Sequence, residues 1–465
     1  MRDTLHIALA QINPTVGDLA GNAGLIANAR LAAAADGADL LACPELALSG
    51  SPLDSLALHG GFLDAVEAAI AGLAAGTADG GPALLATAPW RVDGALHDAA
   101  LLLDGGRVQA VRGRCAPAEP GALAPFAAAA PAGPMAIRGV PVGVMIGADL
   151  DLPDAAETLQ ESGAELLLVP GASPWLAEMP DLRLSLAVAR VTETGLPLLW
   201  LNLLGGQDEL VFDGGAFALN ADRGLALQGP AFRAGLLSAR WRRGPAGWAC
   251  EPGILAPPPE GAAALWQVLS LGLRDHVAKN GHARVRLAGG TGIGAALLAA
   301  LCADALCADA LDADALDADA LGAAPEANGD ALALSDLDKT RLALGQGAMT
   351  GDFAPLKDLH AGQLRALARW RNGTLPPDAR GPAGPVVDDR LLGEPAAADP
   401  APRLDALLAG EDPVGEAAAS LAAAFFAAER VRRRAPPGIR LTRSLLGRDR
   451  RYPITNAFRG GKEGR

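Results

Sequence analysis

Cysteine is scarce in this chain, five among 465 residues (Cys43, Cys115, Cys250, Cys302 and Cys307), and an odd number that falls into no CxxC or Cys/His cluster. That absence excludes a disulfide framework and a zinc-type ligand set, and it points to a reduced, cytoplasmic setting. Positive charge is also short, with 39 Lys and Arg against 53 Asp and Glu and a net charge of -14. A surface built to bind nucleic acid or an anionic membrane is therefore not expected. No stretch of about 18 to 20 uninterrupted apolar residues occurs, so no transmembrane helix is expected. The N-terminus runs straight into the strand-like Leu5-His6-Ile7-Ala8-Leu9-Ala10 with no basic region and apolar core of a leader peptide.

What is present is a chain that is 50% hydrophobic and 20% charged, long enough for about two to three domains with their own cores. Its first half alternates strand-like runs (residues 6–10, 40–43, 83–87, 99–103, 140–146, 165–169, 198–202 and 215–219) with Ala-rich helical stretches at 22–35 and 63–75. Period-2 runs separated by period-3.6 runs describe an α/β domain. The Pro-rich segment 252–261, containing Pro257-Pro258-Pro259, reads as a linker between a first domain at 1–251 and a second at 262–465. The second part opens with a helix near 265–279, a strand at 284–287, a glycine loop and a helix at 295–301. A segment at 302–321 then repeats Ala-Asp-Ala-Leu with period five, which fits neither helix nor strand and reads as a weakly ordered insert. Arginines cluster at Arg430-Val431-Arg432-Arg433-Arg434 and at Arg448-Asp449-Arg450-Arg451. Either a docked phosphate-bearing ligand or a solvated helix face accounts for such clusters.

Six segments recur in order along the chain: Ala10-Gln11-Ile12-Asn13-Pro14-Thr15-Val16-Gly17-Asp18, Cys43-Pro44-Glu45-Leu46, 191–197, 205–214, Phe353-Ala354-Pro355-Leu356-Lys357-Asp358 and 447–456. Together they resemble the bacterial glutamine-dependent NAD(+) synthetases from end to end. The resemblance implies a nitrilase-like αββα sandwich that hydrolyses glutamine. It further implies a C-terminal Rossmann-like, adenine-nucleotide α-hydrolase-type domain that adds the ammonia to adenylylated deamido-NAD(+), using ATP and Mg2+. Most of a second nucleotide-binding βα unit has no counterpart here, so the C-terminal sheet is expected to be truncated.

Amide hydrolysis of the nitrilase type needs a carboxylate base, a nucleophilic thiol and a cation to steady the oxyanion. Glu45 matches the family's base. The family's lysine is matched by Arg114, planar and permanently charged, and its glutamine-binding tyrosine by Pro120. The nucleophile motif Ile-Cys-Glu-Asp stands here as Ile146-Gly147-Ala148-Asp149, so Gly147 carries no thiol. Ser173-Pro174 persists from the substrate loop, while the lysine at its end is matched by Met179. Cys43, two residues before Glu45 in an extended run, and Cys115, beside Arg114, read either as small buried hydrophobes or as replacement nucleophiles.

In the second half the family's Ser-Gly-Gly-x-Asp-Ser loop appears as Ala288-Gly289-Gly290-Thr291-Gly292-Ile293, followed by Gly294. Both hydroxyls and the metal-side carboxylate are gone. The loop is left as a tight turn or as a glycine-rich cradle whose N–H groups could hold a phosphate. The Asn-Lys-Thr-Glu motif stands as Asp338-Lys339-Thr340-Arg341. Lys339 and Thr340 match its substrate-binding residues, and Arg341 reverses the charge of its acid. Val431 takes the place of a further substrate lysine. These replacements imply a degenerate copy with a structural or regulatory role. Residual ammonia-dependent NAD(+) synthesis, an altered carbon-nitrogen hydrolase built on Glu45 and an ATP- or NAD-type sensor are the alternatives. A homo-oligomer, or a mixed assembly with an active synthetase, is the expected partnership.

Overall fold

The computed structural model describes residues 2–118, 124–288, 290, 292–306, 331–346, 350–393, 400–411, 416–443 and 445, without the side chains of 416–419. The chain folds into two compact units. One comprises Met1–Gln207 and Phe212–Pro259, the other Asp208–Val211 and Glu260–Arg465. The division thus falls near the end of the Pro-rich stretch, and the residues Asp208–Val211 group with the second unit.

The chain before Pro259 carries strands β1 (Thr4–Gln11), β2 (Leu40–Ala42), β3 (Ala83–Val92), β4 (Ala95–Asp104), β5 (Arg107–Gly113), β6 (Met135–Ile137), β7 (Val140–Val144), β8 (Leu166–Gly171), β9 (Leu198–Asn202), β10 (Leu204–Gln207), β11 (Leu210–Asp213), β12 (Phe217–Leu219), β13 (Leu225–Gln228), β14 (Gly235–Gly244) and β15 (Gly247–Cys250), all but the start of β11 in the first unit. Seven of them form one sheet, ordered β15-β14-β1-β2-β3-β4-β5, and six form another, ordered β13-β12-β9-β8-β7-β6. Period-2 alternation decides which side chain faces which layer. Leu5, Ile7 and Leu9 of β1 enter the core shared by the two sheets, together with Val142, Leu168 and Leu199. Ala8 and Ala10 point the other way, toward helices α1 (Leu19–Ala35) and α2 (Gly60–Gly76), where Ile26, Val66 and Ile70 are buried. Helices α3 (Pro153–Glu161) and α4 (Met179–Thr194) cover the second sheet through Ala156, Leu159, Ala187 and Val191. The layers are therefore α, β, β, α, and each face of both sheets is apolar.

Among the described residues one helical segment, Gly60–Asp79, is long and apolar enough to cross a membrane. Asp64 and Glu67 interrupt it, and both pair with Arg91. Its Leu63, Val66, Ile70 and Ala74 are buried.

The second unit contains α5 (Gly261–Lys279), β16 (Arg284–Leu287), α6 (Ile293–Ala305), β17 (Ala331–Leu334), α7 (Lys339–Ala343), α8 (Ala361–Gly373), α9 (Ala401–Ala409), α10 (Glu416–Ala427) and α11 (Glu429–Arg432). Its described sheet consists of the parallel pair β16 and β17, in register from Arg284↔Ala331 to Leu287↔Leu334. The first copy of the five-residue repeat is ordered, contrary to the weakly ordered reading, because it completes α6 and finds partners far along the chain. Cys302 and Leu306 are buried, and Asp304 accepts from Arg371 Nε at 2.6 Å and Nη2 at 2.9 Å and from Trp266 Nε1 at 3.0 Å. Residues 307–321 of the insert lie outside the described residues, as do Gly289, Pro120, Arg448, Arg450, Arg451 and segment 447–456.

Candidate active sites

Strand β2 ends at Ala42, and Pro44 breaks the ladder, so Glu45 sits in the turn that follows rather than on the strand. Its carboxylate is held inward: Oε2 accepts from the Ala172 N–H at 2.7 Å, just past the end of β8. Gly147 follows β7 and has a φ of +50°, a conformation that side-chain-bearing residues adopt at a cost. A Cβ on Gly147 would stand 2.8 Å from Cδ and Oε1 of Glu45, and nearer still to Oε2. The space a side chain at position 147 would need is thus filled by the Glu45 carboxylate.

Asp98, on β4, completes this cluster. It is buried. Its Oδ1 meets no N–H or hydroxyl donor among the described residues. Burial first, and the neighbouring charge of Glu45 second, hold Asp98 well above the usual carboxylate range. Arg114 leans on Asp98, with Nε 3.8 Å from Oδ2. Its guanidinium therefore faces a carboxyl, leaving the oxyanion role expected at this position to a group already engaged.

Asp149 survives as a fastener. Oδ1 accepts from the Cys115 and Ala116 N–H groups at 2.8 and 2.6 Å, and Oδ2 from Ile146 N at 2.9 Å. Burial raises its pKa, and those three hydrogen bonds oppose the rise. A cavity of about 10 Å3 beside Asp149 and Cys115 has room for one water and not for an amide substrate. Ser173 lies next to Ala172. Its N–H donates to Asn202 Oδ1 at 2.8 Å and its carbonyl accepts from Asn202 Nδ2 at 2.9 Å. Asn202 in turn donates to Asp213, which Arg183 clamps through two bonds of 2.8 and 2.5 Å. Met179, which stands in the lysine's place, opens α4. A cleft of about 680 Å3 elsewhere in this unit, between α1 and α2, is lined by Leu19, Ala23, Leu31 and Leu73, with Arg30 and Asp79 paired to each other.

The replacement-nucleophile reading of the two cysteines fails on burial. Cys43 is wholly buried in the layer between its sheet and α1/α2, and burial pushes its thiol up to about 12. Nor do Cys43 and Glu45 share a strand face, because the strand has ended before either is reached. Burial, with a contribution from Asp149, pushes Cys115 up to about 11. Both shifts disfavour the thiolate, the nucleophilic form.

In the second unit Gly290 (φ +23°) and Gly292 (φ +115°) lead into α6, with Gly292 at its N-cap and Gly294 in its first turn. Asp336, two residues past β17, fills their mouth: its Oδ2 would lie 2.7 Å from a Cβ on Gly290 and 3.4 Å from one on Gly294. Arg341 Nη1 covers it at 3.1 Å and also donates to its carbonyl at 3.2 Å. An internal carboxylate and its guanidinium occupy the place meant for a phosphate. Lys339 and Thr340 turn away into a separate buried network. Lys339 Nζ lies 3.4 Å from both Asp358 Oδ1 and Asp405 Oδ1. Thr340 Oγ1 meets His360 Nδ1 at 3.1 Å, and His360 Nε2 meets Asp405 at 3.0 Å. Burial acts to raise Asp405, but the His360 hydrogen bond and the Lys339 charge outweigh it and leave the carboxyl below its ordinary value. Asp358 also accepts from the N–H groups of Leu441 and Thr442. The retained motif residues thus knit the unit together.

These residues do not fit ATP and Mg2+. Ala288, Gly292 and Ile293 stand where the family's motif has its two serines and its acid, Asp336 sets a negative charge against any phosphate, and the described residues contain no group of three His, Cys, Asp or Glu that could hold a metal ion. The arginine cluster also departs from a ligand site: Arg432 is buried on Glu429 at 3.0 Å, and Arg433 pairs with the same carboxylate. Asp98 and Asp336 escaped sequence reasoning. For Asp98 a signal existed, a charged residue within the apolar β4 run.

The two-sheet unit is a carbon-nitrogen hydrolase domain: the family model of that description matches residues 6–244. Over its whole length the chain is 32% identical to the glutamine-dependent NAD(+) synthetase of Rhodobacter capsulatus, covering 99% of this chain and 100% of that one. A second such enzyme, from Xylella fastidiosa (strain 9a5c), is 29% identical at 99% and 100% coverage. Among solved structures, the glutamine-dependent NAD+ synthetase of Acinetobacter baumannii in complex with ADP superposes with a TM-score of 0.75 at 24% identity, covering 97% and 99%. That of Cytophaga hutchinsonii superposes with a TM-score of 0.74 at 15% identity, covering 98% of both chains. The chain belongs to the glutamine-dependent NAD(+) synthetase family.

Proposed function

We propose that this chain is a noncatalytic member of its family, keeping the two-part scaffold for a structural or regulatory role. The observation that carries this reading is the Glu45 carboxylate lying in the side-chain space of Gly147. Without a thiol no acyl-enzyme forms there, and with Glu45 in that space no water or substrate stands between base and carbonyl. The raised thiols of Cys43 and Cys115 support it from the same unit. The Asp336–Arg341 pair at the glycine loop supports it from the other. A role in a mixed assembly with an active synthetase follows naturally, the retained scaffold offering the surfaces and the lost sites removing competition for substrate.

The test is NAD(+) formation by the purified protein from deamido-NAD(+), ATP and magnesium, with glutamine or ammonium supplied in parallel. No NAD(+) is expected from either nitrogen source. Product with ammonium alone would restore the second unit as an enzyme, and product with glutamine would overturn the reading for both. Native co-purification with an active synthetase is the expected outcome for the assembly role, and a strictly self-associated protein would remove it.

A further inference from the structure

We infer that the outward face of helices α1 and α2 is a contact surface for a second copy of this chain, each copy setting its Leu31 into the cleft between the two helices of the other. The inference goes beyond the noncatalytic reading and does not rest on it. One face occupied by a copy leaves the rest of the surface for an active synthetase.

The face is defined by what the two helices lack. Each is 17 residues long, and between them they carry only the charged side chains Arg30, Asp64 and Glu67. All of these are already paired, Arg30 with Asp79 and the two acids with Arg91. Ala23, Gly24 and Ala27 of α1 and Ala69 and Gly72 of α2 line the space between the helices, and side chains this small leave a cleft of about 680 Å3 open. Leu31, at the same cleft, is 63% exposed. The apolar window within Gly60–Asp79 is only 28% buried. Apolar helix surface left in water on this scale marks an interaction site.

Three arguments make the occupant a second copy. A two-fold contact needs a self-complementary face, and this one holds both a protruding leucine and a recess to receive it. A chain of net charge -14 repels its own copies wherever acids meet, so a face without unpaired charge is where two copies can approach. The acids at the ends of the face, Asp18, Asp36 and Asp79, carry the wrong sign for anionic lipid. Helices of this length, about 25 Å, lying about 8–10 Å apart present roughly 500 Å2. Two copies then bury about 1,000 Å2 in all, the lower bound of a specific interface, and the dimer is a reversible one.

The test is sedimentation equilibrium of the full chain across the micromolar range. The unaltered protein should dimerise reversibly, and high salt should not weaken the contact, since no charge pair holds it. Leu31→Lys and Gly72→Glu each bring a charge into the contact, and each should weaken dimerisation about a hundredfold. Neither threatens the fold, because Leu31 is exposed and a Cβ on Gly72 meets nothing within 4 Å. Mixed in equal amounts, the two variants should pair again, the new lysine of one entering the cleft that holds the new glutamate of the other. A monomer throughout, a dimer that both substitutions leave intact, or variants that stay apart when mixed would overturn the proposal. So would binding to phosphatidylcholine vesicles that the same substitutions abolish, which would assign the face to lipid. NAD(+) formation by the dimer would instead overturn the noncatalytic reading and leave this contact standing.

Discussion

The two units hold together by different means. In the first, sheets of seven and six strands bury a largely apolar interior, and Glu45 and Gly147 follow the ends of β2 and β7. In the second, the described sheet has two strands, and buried charges tie segments around it: Asp304 to Arg371, Lys339 to Asp358, and Arg432 to the carbonyls of Ala343 and Phe425. A chemical group at the rim of an apolar sandwich can be lost without loss of the fold. Where a motif residue doubles as a buried structural charge, its loss would cost the fold. Gly147 and Lys339 are the respective cases.

The largest effect that sharpens this contrast is expected from Arg371→Ala. It strands Asp304 in the interior with the Trp266 Nε1 donor and no cation, and breaking such a pair from one side costs about 3–5 kcal/mol. Hydrogen exchange should show protection lost in α6 and α8 while β1, β8 and β9 stay protected. Loss throughout both units would mean the two do not unfold separately. In the sandwich, Leu168→Ala removes a fully buried side chain from the shared core and should cost about 2–5 kcal/mol by the same measurement. There the protection should fall in the two sheets.

Asp98→Asn probes the site instead of the scaffold, and its sign is opposite. A carboxyl raised in the folded state favours folding while protonated, and that contribution is lost as pH rises from the ordinary value, near 4, through the raised one. At neutral pH Asp98 is therefore a burden. The asparagine variant should be the more stable protein there, by about 1.4 kcal/mol for each unit by which the pKa is raised, and the gain should shrink toward pH 4. Urea midpoints measured at pH 7.5 and pH 4.5 decide it. A variant less stable at pH 7.5 would mean that Asp98 is ionised and paired with Arg114.

Much of the first unit was legible from the chain because its strands announce themselves by apolar runs, and residues 198–202 coincide with β9, as 284–287 do with β16 in the second unit. Strand β14 was not, since its Arg240, Arg242 and Arg243 dilute the apolar pattern and its partner β1 lies more than two hundred residues away. The same distance hid the order of the first repeat copy: nothing near Asp304 in sequence foretells Arg371. At the site, the positions of Glu45 and Gly147 were readable as matches to a motif. Their mutual occupation of one space was not, because it depends on a turn with no periodic signal and on the Ala172 N–H, which arrives from the end of another strand.

The smallest effect is expected at the glycine loop, and it separates a missing acid from a blocked site. If the reversed charge at Arg341 were the sole lesion, Arg341→Glu would move ATP affinity toward the family's behaviour. The structure argues otherwise. Asp336 already fills the space against Gly290 and Gly294, and removing the guanidinium leaves its negative charge uncovered where phosphate would approach. Arg341→Glu should therefore show no ATP binding up to millimolar concentration by calorimetry. Arg341→Ala should alter stability by no more than about 1 kcal/mol, since Arg341 is about a third exposed and such pairs are weak. Binding gained by Arg341→Glu alone would show the loop to be open, and would make the second unit the less damaged of the two.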